Sequence, residues 1–182
     1  MIIVALLMKG FIDKIIMLIL TLLGILLSFL CKGFNIPLVS WLLTKFGRGE
    51  ELNRFPGKGI VFYFAGCTLS LYIFSLEIAL ASIMVLALGD SISHLYGLHF
   101  GRIRHPLSNT KFLEGSLAGL LAGFIGAKIF LPWHEAFFAS FAAMAAEAIE
   151  IKIGAEQIDD NLLIPVIAGA TVWLFRFLSS II

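Results

Sequence analysis

Apolar residues fill this chain in long runs, and the polar residues collect between them. The run at about Phe11–Leu30 matches the ~20 residues that one membrane crossing needs. Phe34–Phe46 is apolar but shorter, a length that suits an interfacial or re-entrant helix, and Pro37 fits its first turn. A polar stretch, Gly47–Lys58, separates it from a span at about Gly59–Phe74. A turn near Ser75–Glu77 leads into a span that runs to Leu88, or on to Tyr96. After the polar loop Leu98–Thr110 come spans at about Phe112–Phe130, Trp133–Ile151 and Leu162–Ile181, the last two joined by the polar loop Lys152–Asn161. The pattern predicts an all-α, polytopic membrane bundle of about six or seven transmembrane helices. It forms one domain over residues 1–182, without internal repeats.

A mean hydropathy of +1.02 and a charged fraction of 14% exclude an ordinary soluble domain. The net charge of +1 gives no reason to expect nucleic acid. The position of the cations is more informative. Lys45, Arg48, Arg54 and Lys58 occupy the first polar loop, and Arg102, Arg104 and Lys111 the second. Two crossings lie between these loops, and two more reach the third. By the positive-inside rule all three loops, at about 45–58, 97–116 and 150–161, are expected on the cytoplasmic face. The opposite boundary carries only Lys128 and Arg176. The N-terminus starts inside if Phe34–Phe46 crosses and outside if it does not. Cys67 falls within a span and Cys31 at the end of one, which implies no disulfide and no cysteine metal site. No small-residue cleavage site follows the run before Cys31, so that run reads as a retained span.

Asp90 ends the apolar run Ile83–Asp90. An ionisable group at such a place is costly unless paired, and in a membrane protein it marks a candidate functional site. Gly89-Asp90-Ser-Ile-Ser93-His94-Leu-Tyr-Gly97 reads as the cytoplasmic end of a helix, with Asp90, Ser93, His94 and Gly97 on one face. Asp90 suits Mg²⁺, which takes hard oxygen ligands; the alternative is a helix-end Asp that faces water. Gly97, Gly101, Arg102 and Arg104 suit a phosphate-binding turn, or equally a basic loop that anchors lipid headgroups. Lys111-Phe-Leu-Glu114-Gly115-Ser116 opens a span, so its free N–H groups and lysine form a ready anion site. Glu114 fits a helix cap or a metal ligand. Glu147 and Glu150 share a face of an Ala-rich helix, where a carboxylate is not expected to meet lipid. Asp159, Asp160 and Asn161 open the final span and fit either an N-cap or a site. Glu50 and Glu51 read as a solvated loop.

Taken together, Gly89-Asp90, Gly97, Gly101, Lys111-Phe-Leu-Glu-Gly-Ser116, Glu147 and Asp160-Asn161 resemble the dolichol kinase family, which also includes phytol kinase and the CTP-dependent diacylglycerol kinases. The loop Arg48–Lys58 is similar to that of archaeal-type members. Phe112 stands where the family usually has Ser, and Ser93 where it favours Ala. The N-terminal span also lacks the basic, His-containing helix of many members. The resemblance implies an integral membrane enzyme that transfers the γ-phosphate of CTP to a polyprenol-type alcohol or diacylglycerol with Mg²⁺. It implies Asp90, Lys111 and Glu147 as catalytic residues. Gly89, Gly97, Gly101, Arg102, Arg104, Lys111, Glu114, Gly115, Ser116 and Asn161 would hold nucleotide or phosphate, and Asp90, Glu114, Glu147 and Asp160 the metal. The base is Asp90 or Glu147. The partners are CTP, the lipid alcohol and the bilayer, with a homodimer left open. Two other classes compete. The related phosphatidate cytidylyltransferases make a CDP-lipid, but their Lys-Asp and His-Gly-Gly…Asp-Arg signature is absent here. A transporter or a non-catalytic membrane subunit is the other alternative. A transporter should carry charge near mid-membrane, whereas these charges gather toward one side.

Overall fold

A computed structural model of the chain describes residues 2–33, 57–106, 108, 110–149, 152–153 and 156–181. Among them the chain forms seven helices: α1 (Ile2–Met8), α2 (Lys14–Gly33), α3 (Lys58–Ile73), α4 (Leu76–Phe100), α5 (Leu113–Ala127), α6 (Trp133–Ile149) and α7 (Asp160–Ser179). A two-residue hairpin, β1 (Lys152–Ile153) with β2 (Glu156–Gln157), joins α6 to α7. The segment Phe34–Phe46, on which the choice between six and seven crossings turns, lies outside the described residues. So do Arg48, Glu50, Glu51, Arg54, Asn109 and Glu150.

The protein is an all-α membrane bundle. Lys14–Cys31, Leu76–Phe100 and Asp160–Ser179 are long and apolar enough to cross a bilayer, with mean hydropathies of 2.6, 1.7 and 1.8. α3 and α5 are apolar but shorter. Large apolar side chains stay exposed on outward faces, among them Leu22, Leu121, Ile125 and Trp173, as lipid contact requires. Inside, Met17, Ile83, Met84, Leu86 and Ile164 are fully buried.

Helix ends follow local chemistry. The first span begins at Lys14, not Phe11, because Gly10 turns the chain at φ 71° and Asp13 caps the start of α2. Asp13 Oδ1 accepts from the N–H groups of Ile15 and Ile16, each at 2.9 Å, two of the donors a helix start leaves unpaired. The short α1 before it buries Val4 and Leu7. Asp159 caps α7, accepting from the Asn161 N–H at 3.1 Å and from Asn161 Nδ2 at 2.9 Å. Pro165, one turn in, has no N–H for the Asn161 carbonyl. Gly66 of α3 packs against that carbonyl so closely that a Cβ would collide with it.

α4 takes the longer of the two expected courses and does not stop at Leu88 or at Asp90. It continues ten residues to Phe100, and Val85–Asp90 is a π-helical turn within it. No breaker comes after Asp90, and the face carrying Gly89, Ser93 and Gly97 is buried against α5. On α5, Gly115, Gly119 and Gly123 repeat at the same spacing. A Cβ on Gly115 would lie 2.6 Å from the Ser93 carbonyl oxygen, and one on Gly119 2.7 Å from that of Gly89. Small residues every fourth position let the two backbones meet. A neighbouring helix thus takes up the space beside Gly89 and Gly97.

Polar side chains stitch the remaining contacts. Thr21 and Thr68 Oγ1 atoms lie 2.9 Å apart between α2 and α3. Ser140 donates to the Leu120 carbonyl at 2.8 Å. At one end of the bundle Arg176 grips Glu135 through Nε and Nη2 at 2.8–3.1 Å and reaches Glu77 at 3.3 Å. At the other end lies a charged cavity.

Candidate active site

Three helices and one loop bring charge to that cavity. Asp90 comes from the π turn of α4, Glu147 from the last turn of α6 and Asp160 from the first turn of α7. Lys111 comes from the loop before α5. All four line a space of about 660 Å³, with Ser93, His94, Gly97, Thr110 and Phe112 in its walls. That volume is in the range of small-molecule sites.

The loop of Lys111 is held like a short hairpin. Arg104 pairs with Phe112, His105 N–H donates to the Lys111 carbonyl and Leu113 N–H to that of Ile103, both at 3.0 Å. The Arg104 guanidinium lies 4.7 Å from the Phe112 ring centre, a cation–π distance. The ring also fills the space beside Gly101, where a Cβ would strike it. Phe112 thus shapes the loop that presents Lys111.

Lys111 Nζ donates to Glu147 Oε1 at 3.0 Å, to the Glu147 carbonyl at 2.7 Å and to Asp160 Oδ2 at 2.9 Å. Burial pushes its pKa down, but the Glu147 and Asp160 carboxylates outweigh burial and hold it above the ordinary lysine value. Glu147 is 3% exposed. Its Oε1 also accepts from Ser93 Oγ at 3.3 Å, while its Oε2 is buried with no hydrogen-bond partner. A buried carboxylate oxygen without a donor is costly and suits a cation or a ligand proton.

The structure therefore gathers Asp90, Gly97, Lys111, Glu147 and Asp160 at one cavity. It gives the other expected residues different surroundings. Glu114 turns from the cavity, and both its oxygens accept from the Ile103 N–H, at 3.1 and 3.2 Å; it fastens the loop to α5. Gly89 and Gly115 lie in the α4–α5 contact, and Gly101 lies beside Phe112. Ser116 Oγ donates to the Phe112 carbonyl at 3.4 Å, and Asn161 bonds to Asp159. Arg102 and Arg104 are on the exposed part of the loop. Sequence reasoning placed Ser93 on the Asp90 face but gave it no partner, since spacing along α4 does not reveal that α6 lies opposite.

Among the described residues, no three His, Cys, Asp or Glu side chains form a self-sufficient metal cage. The donor set still fits Mg²⁺. That ion is held by one or two carboxylates plus substrate phosphates and waters, and here hard carboxylate oxygens border a cavity with one buried oxygen unpartnered.

No family model and no solved structure matches this chain. Among curated proteins, it is 34% identical over 147 residues to an uncharacterized protein of Methanocaldococcus jannaschii, across 80% of this chain and 72% of that protein. It is 26% identical over 163 residues to the CTP-dependent diacylglycerol kinase 1 of Schizosaccharomyces pombe, across 78% of this chain and 72% of the yeast protein. It is also 26% identical over 137 residues to a probable chloroplastic phytol kinase of Zea mays, of which it spans 44%. The chain is a helical membrane bundle with a carboxylate–lysine cavity at one end. The chain belongs to the family of the dolichol kinases, phytol kinases and CTP-dependent diacylglycerol kinases.

Proposed function

We propose that the protein is a CTP-dependent lipid kinase that moves the γ-phosphate of CTP to the hydroxyl of a membrane lipid alcohol, of the isoprenoid or the diacylglycerol type. The observation that carries this reading is the convergence of Asp90, Glu147, Asp160 and Lys111 on one cavity at one end of the bundle. Phosphoryl transfer asks little covalent chemistry of a protein and depends on positioning and charge. The acceptor oxygen attacks the γ-phosphorus as its bond to the β–γ bridging oxygen breaks, and CDP leaves.

Each residue has a part in that step. Glu147, through its unpartnered Oε2, and Asp160 would hold Mg²⁺, which would supply positive charge against the phosphates. Lys111 supplies positive charge to the transferring group. Asp90 takes the hydroxyl proton. It is the cavity carboxylate that Lys111 does not hold, so its basicity is not spent on an ammonium. Ser93 keeps Glu147 oriented. The apolar outer faces of the helices let the alcohol arrive from the bilayer. The site loops face the cytoplasm, where CTP is supplied.

The test is label transfer by the purified protein. CTP labelled at the γ position should label a polyprenol, phytol or diacylglycerol, and ATP should not replace it. Transfer from the α position with release of pyrophosphate would identify a cytidylyltransferase instead.

A further inference from the structure

An ammonium has three protons, and Lys111 spends all three within the protein: on the Glu147 carbonyl at 2.7 Å, on Glu147 Oε1 at 3.0 Å and on Asp160 Oδ2 at 2.9 Å. It bridges the same two carboxylates that a divalent ion would have to share. Ser93 Oγ holds Glu147 Oε1 from the other side at 3.3 Å. That geometry leaves Oε2 buried and without a partner. The site thus holds a built-in cation and one spare buried oxygen.

We propose that Lys111 is a resident cation that keeps Glu147 and Asp160 from binding a divalent metal until the nucleotide arrives, and then exchanges those carboxylates for phosphate. Like charges at this range repel strongly where water is scarce. A bare divalent ion entering beside the ammonium therefore meets repulsion, and it finds Glu147 Oε1 and Asp160 Oδ2 already bonded. A metal carried on a triphosphate arrives with its charge largely cancelled. The phosphate oxygens also offer the ammonium new acceptors, so Lys111 can leave the carboxylates without losing hydrogen bonds. Ser93 then remains on Glu147 and acts as a positioning residue. The outcome is a site that takes metal and nucleotide as one unit.

The identity of the nucleotide rests on the kinase reading; the blocking of the carboxylates by Lys111 does not. The test measures Mn²⁺ binding by electron paramagnetic resonance on the purified full chain, with and without CTP. Without nucleotide, Lys111→Met should bind Mn²⁺ at least about tenfold more tightly than the parent. Adding Glu147→Gln to Lys111→Met should abolish that gain. In the parent, tight Mn²⁺ binding should appear only with CTP. Equal nucleotide-free affinity in parent and Lys111→Met would overturn the proposal. If Lys111→Met fails to fold, the parent decides alone: tight nucleotide-free binding that Glu147→Gln removes would also overturn it. A gain in Lys111→Met from a protein that never transfers phosphate from CTP would support the role of the lysine and refute the kinase.

Discussion

Asp90 and Lys111 sit in one cavity, but the structure gives them different chemistry. Lys111 is bonded to two carboxylates, whereas Asp90 lines the cavity without a bond to Lys111. If Asp90 accepts the hydroxyl proton, Asp90→Asn should lower kcat by about 100-fold or more, the lower end of what a general base contributes. Binding of the Mn²⁺–CTP pair should change little. Loss of that binding in equal measure would make Asp90 a metal ligand, as its sequence setting also allows. Lys111 leads to a prediction about pH. Its pKa is raised in the fold, so the interaction stabilises the protein at every pH below the free-lysine value of 10.5. The contribution disappears only as pH rises through the elevated value. Thermal unfolding of Lys111→Met should therefore lag the parent by a constant interval from about pH 8 to about pH 9, where the carboxylate partners are ionised as well. An interval that closes within that range would mean that the ammonium is not the stabilising partner.

The α4–α5 pair shows what one chain of residues can and cannot disclose. Gly89, Ser93 and Gly97 mark a small-residue face in the sequence, and Gly115, Gly119 and Gly123 mark another. Their mutual contact sets how deep Asp90 lies beside α5. With a Cβ at Gly119 meeting both the Gly89 carbonyl and Ser93 Cβ at 2.7 Å, Gly119→Val must part the helices. Overpacking of this kind costs about 1–3 kcal/mol. It should also shift Ser93 away from Glu147, so activity should fall further than the folded fraction does; circular dichroism with activity at matched folded protein would separate the two. Helix positions were legible because lipid demands continuous apolar runs. Asp90, Lys111, Glu147 and Asp160 stood out because charge is scarce in such runs. What was not legible depends on which helices are neighbours. The Ser93–Glu147 bond joins residues 54 apart, and all three bonds of Lys111 join partners at least 36 apart. Glu114 fitted both a cap and a ligand in sequence, and only the position of Ile103 decides between a fastened loop and an open carboxylate. The π turn leaves no mark in composition, yet it sits where α4 carries Asp90, as such turns often do at functional sites.

Among the described residues, two charged clusters lie at opposite ends of the bundle. One is the cavity. The other is Arg176, read from sequence as a boundary charge, which the fold joins to Glu135 and Glu77. Sixteen residues of α7 separate Arg176 from Asp160, about 24 Å at a helical rise of ~1.5 Å per residue. That is less than the ~30 Å of a bilayer's hydrocarbon, so at least one cluster lies below the headgroup level or the bilayer thins around the protein. Pairing is then a requirement at the Arg176 end. Glu135 is buried and held in a two-pronged grip, and taking away its cation strands a carboxylate where water is scarce. Breaking a buried pair costs about 3–5 kcal/mol, whereas replacing both partners with apolar groups is often neutral. Arg176 is over a third exposed, so Arg176→Met should lose less than that range, about 2 kcal/mol after solvent screening. Adding Glu135→Met should recover most of the loss, while Glu77→Gln, whose partner is shared and whose side chain is half-exposed, should do little. None of the three should change the KM for CTP beyond about twofold, since the length of α7, about 24 Å, keeps them out of contact with the cavity. Unfolding measurements in detergent with CTP titrations on each variant decide the matter. A failure of Glu135→Met to rescue would show that the pair itself, not the stranded charge, holds the far end together. A large change in KM would show that the two ends are coupled through α7.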